Sequence, residues 1–159
     1  MRLPLLSALA AVALAAPASA QVSFVPMVGY DIDYEAAMIG LGFEFALPQN
    51  AVPLTVAVRP SVEYLFLGDG SDLGIDQSVF RVNGDLIGRF GQSGRALSPY
   101  AKAGLALEVA SFDTGTVSDT NTEVGLNLGA GAEYNRFLGE VTLGIGDISS
   151  TRIAVGYRF

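Results

Sequence analysis

The chain has 159 residues, half of them apolar by type, with sixteen acidic against nine basic side chains and a formal net charge of −7. That acidic surplus excludes a phosphate-binding surface of the kind nucleic acids need and argues against peripheral docking on anionic lipid. There is no cysteine and no histidine, which excludes disulfide staples, thiolate nucleophiles, His/Cys metal centres and a histidine general base.

In chain order, residues 1–20 read as a cleaved export signal. Arg2 gives a basic start, 3–16 is an apolar run, and Pro17, Ala18, Ser19 and Ala20 end in a small-x-small pattern. The run is short for a membrane helix, and no cysteine follows the cut to carry a lipid. Residues 21–159 are expected to form one domain, large enough for a single core. Mean hydropathy is +0.42, yet after residue 20 nothing approaches the ~20 consecutive apolar residues of a spanning helix. The period of the apolar positions therefore decides the class.

That period is 2, in eight segments. The first, 22–30, is the least regular, because Pro26 interrupts it and Val25 and Met27 blur its polar phase. The second, 37–47, sets Ile39, Leu41, Phe43 and Phe45 against Met38, Gly40, Gly42 and Glu44. Beyond a turn at 47–53, the third, 54–66, opposes Val56, Val58, Val62 and Tyr64 to Ala57, Arg59, Ser61 and Glu63. Pro26 and Pro60 each lack a ladder donor, which predicts a bulge or a locally broken pairing at both. A loop at 68–77 precedes the fourth segment, 79–90, where Phe80, Val82, Leu86 and Phe90 oppose Arg81, Asn83, Asp85 and Arg89. A turn at 91–99 leads to the fifth, 100–111, with Leu105, Leu107 and Val109 against Lys102, Gly104, Ala106 and Glu108. The loop 113–122 follows. The sixth, 123–134, is the cleanest: Val124, Leu126, Leu128, Ala130, Ala132 and Tyr134 alternate with Glu123, Gly125, Asn127, Gly129, Gly131 and Glu133. Asn135-Arg136 predicts a tight hairpin into the seventh, 137–146, where Val141, Leu143 and Ile145 oppose Glu140, Thr142 and Gly144. The eighth, 151–159, places Ile153, Val155, Tyr157 and Phe159 in one phase and Arg152 and Arg158 in the other.

Alternation fits a soluble barrel with apolar residues inside or a membrane barrel with them outside, and volume separates the two. An eight-stranded barrel has an interior only just filled by side chains, far too small for the large residues of the apolar phase. The polar phase mixes charged residues with Gly and Ala, which makes steric sense in a cramped interior. It predicts a lumen holding Arg59, Arg81, Arg89, Lys102, Arg152 and Arg158 against Glu44, Glu63, Asp85, Glu108, Glu123, Glu133 and Glu140. That near balance is what buried charge demands. The remaining acids, Asp31, Asp33, Glu35, Asp69, Asp72, Asp76, Asp113, Asp119 and Asp147, fall in or beside the odd connectors, while Arg95 and Arg136 fall in even ones. One rim is thus expected to be acidic. Aromatics collect towards the strand ends, as the two water–lipid interfaces favour.

With its closing "IAVGYRF", the chain resembles the small eight-stranded outer-membrane β-barrel proteins of Gram-negative bacteria, a group that includes the barrel portion of outer membrane protein A. The resemblance implies a closed antiparallel up-and-down transmembrane barrel in the outer membrane. It also implies that Ile153, Val155, Tyr157 and Phe159 form a C-terminal signal read by the barrel assembly machinery.

The stretch "DIDYE" begins like a calcium loop with Asp31, Asp33 and Glu35, but Ala36 stands where the glycine belongs and Gly42 where the bidentate glutamate belongs. No metal, cofactor or catalytic residue is expected. The expectation is a monomeric outer-membrane barrel with a structural or surface-interaction role and a lumen plugged by ion pairs. The alternatives are a narrow cation-preferring pore and a soluble, lipocalin-like exported barrel that holds an apolar ligand.

Overall fold

The computed structural model describes residues 22–48, 54–67, 76–90, 97–113 and 118–159. The export signal at 1–20, together with Asp69, Asp72 and Arg95, lies outside the described residues. Eight strands follow in order: β1 (Val22–Asp31), β2 (Ala36–Ala46), β3 (Leu54–Phe66), β4 (Asp76–Phe90), β5 (Leu97–Asp113), β6 (Ser118–Tyr134), β7 (Phe137–Gly146) and β8 (Thr151–Tyr157). Each pairs antiparallel with the next, and β1 pairs with β8, so the sheet closes into a barrel. Closure is what hydrocarbon demands, because an open edge there strands backbone N–H and C=O groups without partners.

The period-2 pattern becomes the two faces of this wall. Leu105 is 61% exposed, and Leu126, Val155 and Ile153 are about as open, whereas Arg81 is 0% and Arg59 1% exposed. That is the inverse of a water-soluble protein, in which Lys and Arg are almost never fully buried. The barrel is therefore a transmembrane one, its apolar side chains facing lipid. A lipocalin-like cavity needs those apolar side chains inside, so that alternative fails on the placement of both faces.

Three sequence expectations need correction. The residues 118–122, read as loop, belong to β6, and Asp76 and Gln77, also read as loop, belong to β4; the β5–β6 ladder runs without a break from Leu97↔Tyr134 to Asp113↔Ser118. Above the lipid both faces of a strand are wetted, so alternation lapses while backbone pairing continues. Residues 97–99 likewise begin β5 instead of ending a turn.

Neither proline inserts a bulge. At Pro60 the β2–β3 ladder skips from Gly42↔Ser61 to Phe45↔Val58 with its register unchanged. At Pro26 the β1–β8 ladder stops at Met27↔Gly156, and the Phe159 N–H to Phe24 C=O bond (2.9 Å) resumes the same register. Loss of one donor breaks the pairing locally, and an inserted residue is not needed to absorb it.

Among the described residues, the β6–β7 connector and, at Glu35 (φ 50°), the β1–β2 connector carry left-handed non-glycine backbone. Asn135 (φ 48°) and Arg136 (φ 72°) bridge the paired Tyr134 and Phe137, the two-positive-φ turn whose twist matches a hairpin. The β1–β2 connector is set by Asp31, whose Oδ1 accepts the backbone N–H groups of Asp33 and Tyr34, each at 3.2 Å. We predict that Asn135→Val, a β-branched residue at positive φ, lowers stability by about 1–2 kcal/mol, while Asn135→Gly changes it by under about 0.5 kcal/mol. Urea titration of the refolded barrel in lipid vesicles checks both.

Candidate functional site

The inward phase of the eight strands converges on one chain of ionised side chains. Nearest the rim of the β1–β2, β3–β4, β5–β6 and β7–β8 connectors, the Arg81 guanidinium lies among Asp31, Glu63 and Glu108. Cross-strand register brings the first contacts: Arg81 stands opposite Glu63 on β3 and opposite Glu108 on β5. Tyr34, from the β1–β2 connector, donates its hydroxyl to Glu108 and lies with its ring 5.9 Å from the Arg81 guanidinium carbon. Burial first, and then the Glu108 hydrogen bond and charge, hold the Tyr34 hydroxyl above its ordinary pKa, so it stays a neutral donor.

Glu63 is shared with Arg152, which donates to Asn127 Oδ1 at 2.6 Å. Asn127 in turn donates to Asn83 (2.8 Å) and Asp85 (3.3 Å), and Asn83 to Ser61 (3.3 Å). Asp85 accepts from Lys102 (3.2 Å), which reaches Glu140 at 2.7 Å. Glu140 is the hub of the middle layer, since Arg59 and the Tyr100 hydroxyl also donate to it.

Towards the rim that carries both chain ends, the Tyr100 ring lies 5.8 Å from the Arg89 guanidinium carbon. Arg89 pairs with Glu44 (2.6 Å) and approaches Glu133 (3.4 Å), and Arg158 pairs with Glu133 and Glu44. Glycines lie where the long side chains cross the lumen. A Cβ at Gly42 would stand 3.2 Å from Arg59 Cγ, and one at Gly129 2.9 Å from Lys102 Cε.

Of the thirteen charges that the sequence assigned to the lumen, the structure brings twelve together and leaves one out. Glu123 is part-exposed and accepts from the side chain of exposed Asn121; among the described residues it has no ion pair. Ile148, from the β7–β8 connector, folds inward to 1% exposure and packs on Gly125, where a Cβ would lie 3.0 Å from its own. Glu123, one inward position beyond Gly125, therefore stands above that cap. Asp31 takes its place. Assigned to the acidic rim, it is 0% exposed and paired with Arg81. The inward phase of β1 is disguised by Val25 and Met27, which form an apolar cluster with Leu138, and that hid Asp31. Tyr34, Tyr100 and Ile148 were also missed. Tyr100 could have been found from its shared parity with Lys102; Ile148 carries no periodic signal.

Asp33 and Asp147 do lie at the connector rim, with Asp33 Oδ2 accepting the Thr151 N–H at 2.6 Å. On the outer face, Phe43, Phe24, Phe159, Tyr157 and Phe137 form a run of ring contacts with centroids 4.8–6.0 Å apart across the β1–β8 seam. Tyr64 and Phe66 make an edge contact near the other rim. Ile153, Val155 and Phe159 all face outward.

Fold and faces together define an outer-membrane type of β-barrel. No protein-family model matches the sequence, and no curated protein matches it. Among solved structures, the N-terminal β-barrel domain of Pseudomonas aeruginosa OprF is similar with a TM-score of 0.60 and 20% identity, over 89% of this chain and 100% of that one. Neisserial surface protein A is similar with a TM-score of 0.56 and 17% identity, over 87% and 94% of the two chains. The outer-membrane enzyme PagL gives 0.52 and 15%, over 86% and 97%. The chain thus has the fold of the small eight-stranded outer-membrane barrels, and with its closed wall and apolar belt its place is the outer membrane.

Removing one member of a buried pair strands the others in low dielectric, at a cost of about 3–5 kcal/mol. We predict a loss of that size for Glu140→Ala, which leaves Arg59 and Tyr100 without their acceptor and Lys102 with Asp85 alone, and a change within about 0.5 kcal/mol for Glu123→Ala. Denaturant unfolding of the two refolded variants beside the parent checks the contrast.

Proposed function

We propose that the protein is a non-catalytic outer-membrane barrel whose lumen is plugged and whose role is structural or surface-interacting. The observation that carries this reading is the unbroken run of contacts from Tyr34 to Arg158, in which seven carboxylates and six cations all have ion-pair partners. An ion entering such a lumen has to displace paired charges, which costs several kcal/mol per broken pair. PagL has the same fold and is an enzyme. Against catalysis here stand the absence of histidine and cysteine from the sequence and the commitment of every lumen carboxylate to a cation. The connector rim, with Asp33, Asp147 and Glu123, faces the exterior in this reading and repels anionic surfaces.

Single-channel recording in planar bilayers tests the plug. The purified barrel is expected to give no stable conductance, and reproducible ohmic steps with cation preference would establish the narrow pore instead.

The closing residues Ile153, Val155, Tyr157 and Phe159 act, in this proposal, as the handle for the assembly machinery. Phe159 has a second task, since its backbone and ring both meet Phe24 across the seam. We expect Phe159→Ala to reduce the amount of folded protein in the outer membrane, whereas Phe66→Ala, an equal loss of aromatic area at the other rim, leaves it near the parental level. Immunoblots of membrane fractions, run with and without heating, measure both.

A further inference from the structure

The outer face holds a groove of about 560 Å³ near the rim of the chain ends, in the sector from β6 to β1. Strand register explains its shape. Ala132, Gly139 and Val155 stand opposite one another on β6, β7 and β8, a row of small side chains. The next row towards the rim is Tyr134, Phe137 and Tyr157, three rings in the same register. The drop from rings to a glycine makes the wall and floor. A Cβ added at Gly139 would meet nothing within 4 Å, so the floor is open space.

The hairpin joining two of the lining rings carries a cation. Arg136 sits in the hairpin between Tyr134 and Phe137, is exposed, and makes no ion pair among the described residues. The other six described cations all do. The acidic side chains Glu44 and Glu133, on this side of the lumen, are buried and bound to Arg89 and Arg158, so they offer no free charge against a phosphate. An apolar trough on a surface that already faces hydrocarbon, bordered at its aromatic end by the hairpin of exposed Arg136, is complementary to one molecule type. It fits an acyl chain joined to a phosphate.

We propose that this groove holds one acyl chain of an anionic glycerophospholipid, with the lipid phosphate on Arg136. The proposal rests on the membrane placement argued above. Here the wall would retain a single molecule.

The test uses the full-length mature barrel, refolded in detergent, with phosphatidylglycerol and phosphatidylcholine of identical acyl chains as probes and native mass spectrometry as readout. Heat-modifiable gel migration comes first. A chain that never shows it in lipid would overturn the membrane placement itself, separately from the groove. For the folded parent, one retained phosphatidylglycerol is expected, held about fivefold over phosphatidylcholine, the preference that one cation near a lipid surface supplies. Arg136→Gln should abolish that preference, and Gly139→Leu, whose Cβ meets nothing within 4 Å, should lower retention of both lipids by filling the floor. Equal retention of the two lipids by the folded parent, or retention unchanged by either substitution, would overturn the proposal.

Discussion

A backbone in hydrocarbon has no water to bond, so every N–H and C=O in the wall must find its partner inside the protein. The other features of this barrel answer to that constraint. It forces closure of β8 onto β1, and closure in turn gives every strand one lipid face and one interior face. The outer face is then fixed as apolar, which leaves the inner face as the place where charge can go. Pro26 and Pro60 show how much the constraint tolerates. Each removes one donor, and the ladder resumes in the same register a residue or two further on.

The interior answers a second demand. Charges taken from water are costly unless paired, and eight strands leave little room for water between them. Side chains therefore reach across the lumen in place of solvent, and glycines such as Gly42 and Gly129 lie beneath their stems. The pairing is dense but not complete. Among the described residues, Arg59 Nε and Nη1 and Arg152 Nε are buried donors without a hydrogen-bond partner.

The strands were legible in the sequence wherever one face meets lipid and the other the lumen, because only there does the pattern have to alternate. Val124 to Tyr134 is the clearest case. Legibility fails where that asymmetry ends. Residues 118–122 are strand without an alternating apolar pattern in the sequence. Asp31 and Glu123 exchange places because their positions depend on which connector folds over the mouth, and Ile148 turns inward from a segment that has no period. Tyr34 lies in a turn, where sequence gives the backbone a reason but not the reach of a ring towards Glu108. The groove over Gly139 is equally silent, because it arises from the register of three strands and not from any one of them.

Long-range pairs in the lumen have a further consequence. Arg152 reaches Glu63 across 89 residues of sequence, and Arg59 reaches Glu140 across 81. A slip of two residues between neighbouring strands preserves inside and outside, so the apolar pattern cannot detect it. The same slip displaces a charge by roughly 6.7 Å along its strand, well beyond ion-pair reach. The charged lumen is therefore a gauge of alignment. It distinguishes the one closed ring in which these charges meet from the others that would bury just as much apolar surface in the lipid.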